Sequence, residues 1–232
     1  MTLTALGLVL TASLAHALWN AAAKTVSGHG YTFVFAYQLI SALLLLPIGI
    51  TILAQRPELL GWPLLGVAVV SGLLHIAYSV TLQTGYDRAD LGIVYPVARG
   101  TGPVLTILIA LAVLGERPGW AGVAGGLVII AGIAVVTVPG APRAVCRPAD
   151  LRAVAVSDKR AVAVVSVLSP LAYILVLIAM QQAPVSLIAP LRETSIIIGM
   201  LLAWWLFHER DIGRRLTGAA IVITGIGLIA LA

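Results

Sequence analysis

The sequence predicts an all-α protein, a polytopic membrane helix bundle of about eight transmembrane helices that contains an inverted repeat. Of its 232 residues, 60% are hydrophobic and only 10% are charged, whereas a soluble domain carries about 25% charged residues. The apolar residues form runs of about 20, the length at which a helix crosses a bilayer, and not the short alternating segments of a transmembrane β-barrel. The last three runs also repeat three earlier ones. Most of the chain is therefore expected to lie in lipid.

The predicted spans are placed to within a few residues. They cover approximately residues 3–23, 31–53, 62–83, 90–114, 119–138, 161–180, 185–207 and 215–232. Their even number puts both termini on the same side of the membrane. The stretch between the fifth and sixth spans is the longest polar one. We therefore divide the chain into a first five-helix half (1–138), a polar linker (139–160) and a partial second half of three helices (161–232).

The charge and the cysteine content narrow the classes of partner. The net charge of +5 follows from the scarcity of acids and from basic loop residues that set orientation in the membrane, so no nucleic-acid partner is expected. The single cysteine, Cys146, cannot form an internal disulfide, and no Cys/His cluster has metal-ligand spacing. We therefore expect no metal and no cofactor. The first span lacks a basic N-terminal flank and is long enough to cross the membrane, which favours a helix over a cleavable signal peptide.

The first span carries a polar face. His16, Asn20 and Lys24 are spaced by four residues and so share one side of a helix. A polar stripe on a membrane helix more often faces the protein interior or water than lipid. The stripe is consistent with polar packing between helices and equally with the lining of a solute cavity, and the sequence leaves both alternatives open.

The third span holds two further polar side chains, His75 and Tyr78, whose i, i+3 spacing places them on one face. Both are candidate cavity-lining residues, although a single histidine at such a place is more often a hydrogen-bonded packing residue. The charged residues that follow, Asp87, Arg88 and Asp90, form a short loop that is expected to be solvated.

The fourth span contains an arginine within an irregular sequence, Tyr95-Pro96-Val97-Ala98-Arg99-Gly100-Thr101-Gly102-Pro103. Proline removes a backbone donor and kinks a helix, so Pro96 and Pro103 are predicted helix breaks. Irregular backbone at membrane depth is tolerated where it lines a cavity. Tyr95 and Arg99 are therefore candidate substrate-binding residues.

The seventh span contains the densest group of unusual residues: Pro190, Arg192 and Glu193. A charge at membrane depth costs roughly 3 kcal/mol or more even on the lenient insertion scales. Such residues persist where they face a cavity, a solute or each other, and one alternative is a self-neutralising Arg192–Glu193 pair that only stabilises packing. Pro190 is a predicted helix break, and Arg192 and Glu193 are candidate substrate-binding residues.

An internal repeat relates the seventh span to the fourth. Arg99 and Arg192 differ by 93 positions. The same offset relates three further pairs: Glu116 and Glu209, Gly125 and Gly218, and Gly132 and Gly225. Spans three to five thus match spans six to eight, and each member crosses the membrane opposite to its copy. In such inverted-topology repeats, substrate sites lie near the bilayer midplane at interrupted helices in corresponding positions.

These motifs together resemble the EamA-type members of the drug/metabolite transporter superfamily. The resemblance is carried by His16-Ala17-Leu18-Trp19-Asn20 with Lys24, Pro96-Val97-Ala98-Arg99, Leu191-Arg192-Glu193-Thr194-Ser195, and the loops at 115–117 and 208–210. It covers nearly the whole chain except the linker. It implies ten helices in two inverted five-helix halves that move small metabolites by alternating access. Two helices that should open the second half are missing here, with the linker in their place, and a homodimer is one way to fill the gap.

The leading hypothesis is a secondary active transporter of a small polar metabolite, anionic or zwitterionic and amino-acid-like. Arg99 and Arg192 supply positive charge that suits a carboxylate or a phosphate. Glu193, the one clear intramembrane carboxylate, is a candidate for binding a substrate amine or a coupling proton or cation. The second-rank candidates for cavity lining are His16, Asn20, His75, Tyr78 and Tyr95.

Two other functions compete with transport. The missing helices leave open a shortened, non-transporting membrane paralogue or scaffold. An intramembrane enzyme would need a nucleophile with its base, a metal cluster or a phosphate loop, and no such motif appears, so no enzyme is expected. The expected partners are a solute and the lipid bilayer of a bacterial cytoplasmic membrane. Loop charges favour both termini outside, whereas the resemblance implies the reverse.

Overall fold

The computed structural model describes residues 2–26, 30–112, 119–137, 158–183, 188, 191–209 and 211–230. These residues form eight α-helices and one short 3-10 helix at Pro57–Leu59, with no strand among them. The α-helices are α1 (Leu3–Thr25), α2 (Gly30–Gln55), α3 (Trp62–Arg88), α4 (Leu91–Ala112), α5 (Trp120–Thr137), α6 (Lys159–Met180), α7 (Thr194–Phe207) and α8 (Ile212–Ala230). The predicted all-α class is confirmed, and each α-helix overlaps one predicted span.

Six helices of the described part are long and apolar enough to cross a membrane by length and composition. They are α1, α2, α3, α5, α6 and, over Ile212–Ile229, α8. α7 is a shorter apolar helix of 14 residues. A polytopic helical membrane bundle, as the composition predicts, is confirmed.

The seventh predicted span, over 185–207, is interrupted at Glu193. Ile188, Leu191 and Arg192 are helical, Glu193 lies in a turn, and α7 begins at Thr194. The Glu193 carboxylate is bonded to Arg99 of α4 and the Arg192 carbonyl to Ser13 of α1, so contacts with other elements stabilise this turn. Pro190, the predicted break in this span, lies outside the described residues.

α4 contradicts the prediction for the fourth span. It is continuous from Leu91 to Ala112 and contains both Pro96 and Pro103, so the expectation that these two prolines break the helix is wrong. Each proline removes a single backbone donor, and in membrane helices neighbouring groups re-satisfy what is freed. Within this stretch the Thr101 hydroxyl adds a bond of 2.6 Å to the carbonyl of Val97.

The helices divide between two compact units. The first comprises Met1–Ala22, Ala89–Arg143 and Leu168–Ala232, and the second comprises Ala23–Arg88 and Ala144–Val167. Each unit draws on both predicted halves of the chain. The halves and the linker between them remain a prediction.

In the first unit, α5 and α8 pack closely through four glycines. A Cβ at Gly125 would lie 2.6 Å from the Gly225 carbonyl oxygen, and a Cβ at Gly225 would lie 2.6 Å from the Gly125 carbonyl oxygen. Gly132 and Gly218 face each other in the same way, at 2.9 and 3.0 Å. In both pairs, a glycine near the start of one helix faces a glycine near the end of the other, so the two helices are antiparallel.

This contact has the symmetry that the sequence repeat predicts. The repeat offset relates Gly125 to Gly218 and Gly132 to Gly225, and these are the residues that exchange roles across the contact. Reciprocal contacts between equivalent residues are the mark of a two-fold interface, here formed within one chain. Because the two copies cross antiparallel, the contact supports an inverted-topology repeat.

Apolar side chains fill the space around the start of α7. One buried cluster joins α5, α7 and α8 through Ile129, Ile196, Met200, Ala219, Val222 and Ile226. A second joins α1, α6 and Ile188 through Val9, Ala12, Val176, Ala179 and Ile188 itself. Ile188 and Ile196, which precede and follow the Arg192–Glu193 pair in the chain, are therefore both packed core residues.

In the second unit, α2 packs against α3, and glutamine side chains tie the elements together. Gln38 Nε2 donates to Ser79 Oγ at 3.1 Å, and Gln83 Nε2 donates to the carbonyls of Ala23 and Val26 at 3.2 and 3.1 Å. Much of the rest of α3 exposes large apolar side chains. A helix that is apolar all round is typical of a membrane span.

Candidate functional site

The first unit brings together the two arginines and the glutamate that the sequence singled out. Arg99 in α4 donates from Nε to Glu193 Oε2 at 2.9 Å and from Nη2 to Glu193 Oε1 at 3.0 Å. Arg192 donates from Nε and Nη2 to Oε1 of the same carboxylate, at 3.2 and 3.0 Å. We call this cluster the Arg99–Glu193–Arg192 triad. Its arginines are equivalent positions of the repeat.

The three side chains differ in exposure. That of Glu193 is 3% exposed, that of Arg99 12% and that of Arg192 31%. A carboxylate this deeply buried persists only with paired charges and hydrogen bonds. Two guanidinium groups share one carboxylate, so the triad has one positive charge in excess, and Arg192 is the member that presents it. The alternative of a self-neutralising Arg192–Glu193 pair is incomplete, because Glu193 also pairs with Arg99.

A serine of α1 supports the backbone beneath the triad. The fully buried Ser13 hydroxyl donates to the Arg192 carbonyl at 3.0 Å and lies 3.4 Å from the Leu191 carbonyl. Thr194 Oγ1 also donates to the Leu191 carbonyl, at 2.7 Å. These hydroxyls donate to the carbonyls of Leu191 and Arg192, the two residues that precede the turn at Glu193. Ser13 was not among the predicted site residues, although it lies three residues before His16 on the polar side of the first span.

The other polar residues of α1 bond within their own helix. Trp19 Nε1 donates to His16 Nδ1 at 3.1 Å, and Asn20 Nδ2 donates to the His16 carbonyl at 2.6 Å. Because Nδ1 accepts a hydrogen bond, the ring proton of His16 lies on Nε2. Asn20 is 1% exposed. These contacts agree with the packing alternative for the polar stripe, and the predicted solute contacts of His16 and Asn20 remain predictions.

Tyr95 lies one helical turn before Arg99 on α4 and is 1% exposed. Its ring packs on the backbone of α7 at Gly199, where an added Cβ would meet two ring carbons at 2.5 Å. Tyr95 thus fixes the close approach of the helix that carries Arg99 to the helix that follows Glu193. Its predicted role in binding a solute is untested.

The remaining predicted site residues, His75 and Tyr78, belong to the second unit. Their rings lie 6.5 Å apart between centroids on one side of α3, as their spacing predicts. Tyr78 is 41% exposed, and His75 contributes to a shallow groove along the same helix. The structure gives neither residue the burial that marks the triad, and their role as cavity-lining residues remains a prediction.

A second buried ion cluster was not predicted. Glu209, between α7 and α8, accepts hydrogen bonds from the backbone N–H groups of Leu91 and Gly92 at 2.7 and 3.0 Å. Arg215 Nη1 donates to the same carboxylate, and its Nη2 donates to Asp90 Oδ2 at 2.7 Å. The expectation that Asp90 is merely solvated is therefore wrong, because this acid shares a buried arginine with Glu209.

The Glu209 cluster fixes the start of α4 to the loop before α8. The carboxylate binds N–H groups that the first turn of a helix leaves without intrahelical partners. Burial raises the pKa of the Glu209 carboxyl, and the Asp90 charge acts in the same direction, whereas the N–H groups of Gly92 and Leu91 and the Arg215 guanidinium lower it. Since α4 carries Arg99, a fixed start of α4 also helps to fix the position of Arg99 within the first unit.

The chemistry of the triad suits an anion. A guanidinium presents a planar fork of donors that matches two oxygens of a carboxylate or phosphate. In the part of the chain that the structure describes, no group of three or more His, Cys, Asp or Glu side chains is placed to hold a metal ion. Arg192, the more exposed arginine, is the residue able to offer its donors to a solute.

An all-helical fold with several membrane-crossing helices and an inverted contact between repeated helices defines a multi-pass integral membrane protein. The family comparison is more specific. The model of the EamA-like transporter family matches residues 3–138 and 146–231, and the chain belongs to that family. The family expected from the sequence motifs is thereby confirmed.

One similar protein is the probable terminal-alkyne amino-acid exporter of Streptantibioticus cattleyicolor, which is 33% identical over 94 residues. The match covers 40% of this chain and 29% of that relative. No solved structure matches the chain significantly. Both the family and this relative point to a transporter rather than to an enzyme.

Proposed function

We propose that this protein is a secondary active transporter that moves a small polar metabolite, anionic or zwitterionic and amino-acid-like, by alternating access. The observation that carries the proposal is the excess positive charge of the Arg99–Glu193–Arg192 triad beside the start of a shortened helix. Membership of the EamA-like family supports it. The name of the bacterial relative, an amino-acid exporter, supports the class of solute.

In this proposal Arg192 binds the acidic group of the solute. A carboxylate pairs with a guanidinium through two parallel N–H···O bonds, and in a partly buried site this attraction exceeds its strength in water. Arg99 stays paired with Glu193. When the solute occupies Arg192, Glu193 loses one of its two cations and becomes the candidate site for a substrate amine or for a coupling proton or cation.

The driving force in this proposal is an ion gradient across a bacterial cytoplasmic membrane. The sequence contains no nucleotide-binding loop, and the inverted repeat provides the two related arrangements that alternating access requires. Solute and coupling ion then bind between repeated helices and leave on the opposite side.

Efflux from cells tests the proposal. Bacteria that express the protein and are loaded with labelled norvaline should lose the label faster than cells without it. Arg192→Ala should reduce this rate by roughly tenfold or more, because it removes charge-assisted hydrogen bonds, while the amount of protein in the membrane stays unchanged. The matched control is Arg214→Ala, since Arg214 lies outside the triad and pairs with Asp211 at 3.7 Å.

Two results would contradict the proposal. Normal efflux by the Arg192→Ala variant would remove Arg192 from the site. A wild-type protein that inserts normally and accelerates the efflux of no amino acid would favour the alternative, a shortened non-transporting paralogue or scaffold.

A further inference from the structure

We infer that the triad selects solutes that present a single carboxylate, because Glu193 acts as a built-in counter-anion that cancels one of the two arginines. The inference rests on the proposed function and adds to it the charge of the group that the site accepts. A site with two uncompensated arginines would suit a phosphate or two carboxylates. A site with one suits a single negative charge.

The geometry separates the two arginines. Arg99 uses two donors on two different oxygens of Glu193, at 2.9 and 3.0 Å, which is the paired arrangement that gives the strongest ion pairs. Arg99 is also largely buried, with 12% of its side chain exposed. Arg99 is thus the arginine that Glu193 neutralises.

Arg192 is held less completely. Both of its bonds converge on one oxygen, Oε1, which it shares with Arg99, and 31% of its side chain is exposed. A solute carboxylate would offer both of its oxygens to Arg192, whereas Glu193 offers Arg192 only Oε1, which Arg99 also uses. The exchange improves the pairing of Arg192 and leaves the Arg99–Glu193 pair intact.

Charge balance then sets the preferred solute. The sequence contains nine acids, of which Asp90 is the first residue of the fourth predicted span and Glu193 is the one well inside a predicted span. The triad therefore goes from one excess positive charge to neutrality when it binds one carboxylate. A second carboxylate at the same place would leave an uncompensated negative charge, which is costly in a site with low dielectric constant.

Calorimetric titration of the purified full chain in detergent tests the inference. The probes are valerate, glutarate, which adds a second carboxylate to the same carbon chain, and valeramide, which has no carboxylate. None of them carries an amine, so the charge that each brings to the triad is that of its carboxylates alone. The wild-type protein should bind valerate at least about tenfold more tightly than either of the others. Glu193→Gln frees Arg99 and should shift the valerate-to-glutarate ratio of affinities about tenfold or more toward glutarate.

Three further variants separate this effect from a general loss of structure. Glu193→Asp keeps the charge and should retain the preference for valerate. The double variant Arg99→Gln/Glu193→Gln removes the neutralised pair, leaves one positive charge on Arg192, and should recover the preference that Glu193→Gln loses. Glu58→Gln removes an exposed acid from the 3-10 helix and should leave the ratio of affinities for the monocarboxylate and the dicarboxylate at its wild-type value.

The outcomes distinguish this inference from the proposed function. Selective binding of valerate without any transport of norvaline would uphold the inference and count against transport. Transport of norvaline with equal affinity for valerate and glutarate, or a ratio that Glu193→Gln leaves unchanged, would overturn the inference and leave transport standing. Failure of the wild-type protein to bind any of the three probes would overturn it as well.

Discussion

At the scale of single residues, two buried carboxylates of the first unit depend on arginines. Glu193 is bonded to Arg99 and Arg192, and Glu209 is bonded to Arg215 and to two backbone N–H groups. Removing one partner of a buried pair leaves an uncompensated charge, and this costs more than the net contribution of the intact pair. The Glu209 cluster allows this dependence to be measured away from the proposed solute site.

Arg215→Met keeps a long side chain and removes the charge. The side chain of Arg215 is only 5% exposed and that of Glu209 only 6%, so the variant leaves a buried charge without its partner. It should lose about 3–5 kcal/mol of stability, as measured by thermal unfolding of the purified protein in detergent. The double variant Arg215→Met/Glu209→Gln, which removes both charges, should recover most of this loss. A double variant as unstable as the single one would show that the charge of Glu209 is not the cause.

The loss in Arg215→Met should also depend on pH. Burial raises the pKa of Glu209 and Arg215 lowers it, so the variant has a pKa raised further. A carboxyl with a raised pKa in the folded state stabilises that state at low pH, and this contribution is lost as the pH rises through the raised pKa. The stability of the variant should therefore be closer to that of the wild-type protein at about pH 5 than at about pH 8. An equal loss of stability at the two pH values would contradict the assignment of the effect to Glu209.

The sequence located the charged residues of the site but not all of their partners. Arg99, Arg192 and Glu193 stand out because each is a charge in an apolar run. The pairing of Glu193 with Arg99, 94 positions away, was not predictable from helical spacing, which relates only near neighbours. Ser13 escaped notice because a serine in a membrane span is common, and only its position against the Arg192 carbonyl gives it a role.

At the scale of elements, the α5–α8 contact depends on glycine because the two backbones approach too closely for a side chain. A Cβ at Gly125 or Gly225 would lie 2.6 Å from the facing carbonyl oxygen, which is backbone and cannot rotate away. Small residues allow this kind of approach between membrane helices. Since Gly125 and Gly225 face each other and each would place its Cβ at the same distance from the other's carbonyl oxygen, substitution of either one should have a similar effect.

Gly125→Ala and Gly225→Ala should therefore each destabilise the protein by about 1–3 kcal/mol through overpacking, and lower the Tm in detergent by several degrees. The matched control is Gly72→Ala in α3, where no atom lies within 4 Å of the added Cβ. If Gly125→Ala unfolded at the same temperature as the control, the close packing of α5 on α8 would be refuted.

The sequence predicted the helices better than their interruptions. Runs of apolar residues located the eight α-helices of the described part of the chain, because the length of a membrane span is set by the bilayer. The prolines of α4 did not break it, since a local signal such as Pro96 is overridden when neighbouring groups maintain the helix. Beside the turn at Glu193, Thr194 and Ser13 donate to backbone carbonyls, and the Ser13 bond depends on a tertiary contact that no local pattern encodes.

At the scale of the whole molecule, the inverted repeat connects the sequence to the proposed transport. The repeat was visible as a constant offset between Arg99 and Arg192 and between the glycines of α5 and α8. In the first unit those glycines meet across a two-fold contact, and both arginines meet on Glu193. The predicted loss of two helices before the second half falls in the linker, outside the described residues, and the homodimer that would complete the bundle remains a prediction.

We propose that this chain, with its predicted partial second half, transports a carboxylate solute by means of Arg192. Uptake of labelled norvaline should be measured in proteoliposomes that contain only the purified protein, with an ion gradient imposed across the membrane. We expect saturable uptake that Arg192→Ala abolishes and Arg214→Ala preserves. Uptake no faster than in protein-free vesicles, by wild-type protein shown to be inserted and folded, would refute transport by this chain.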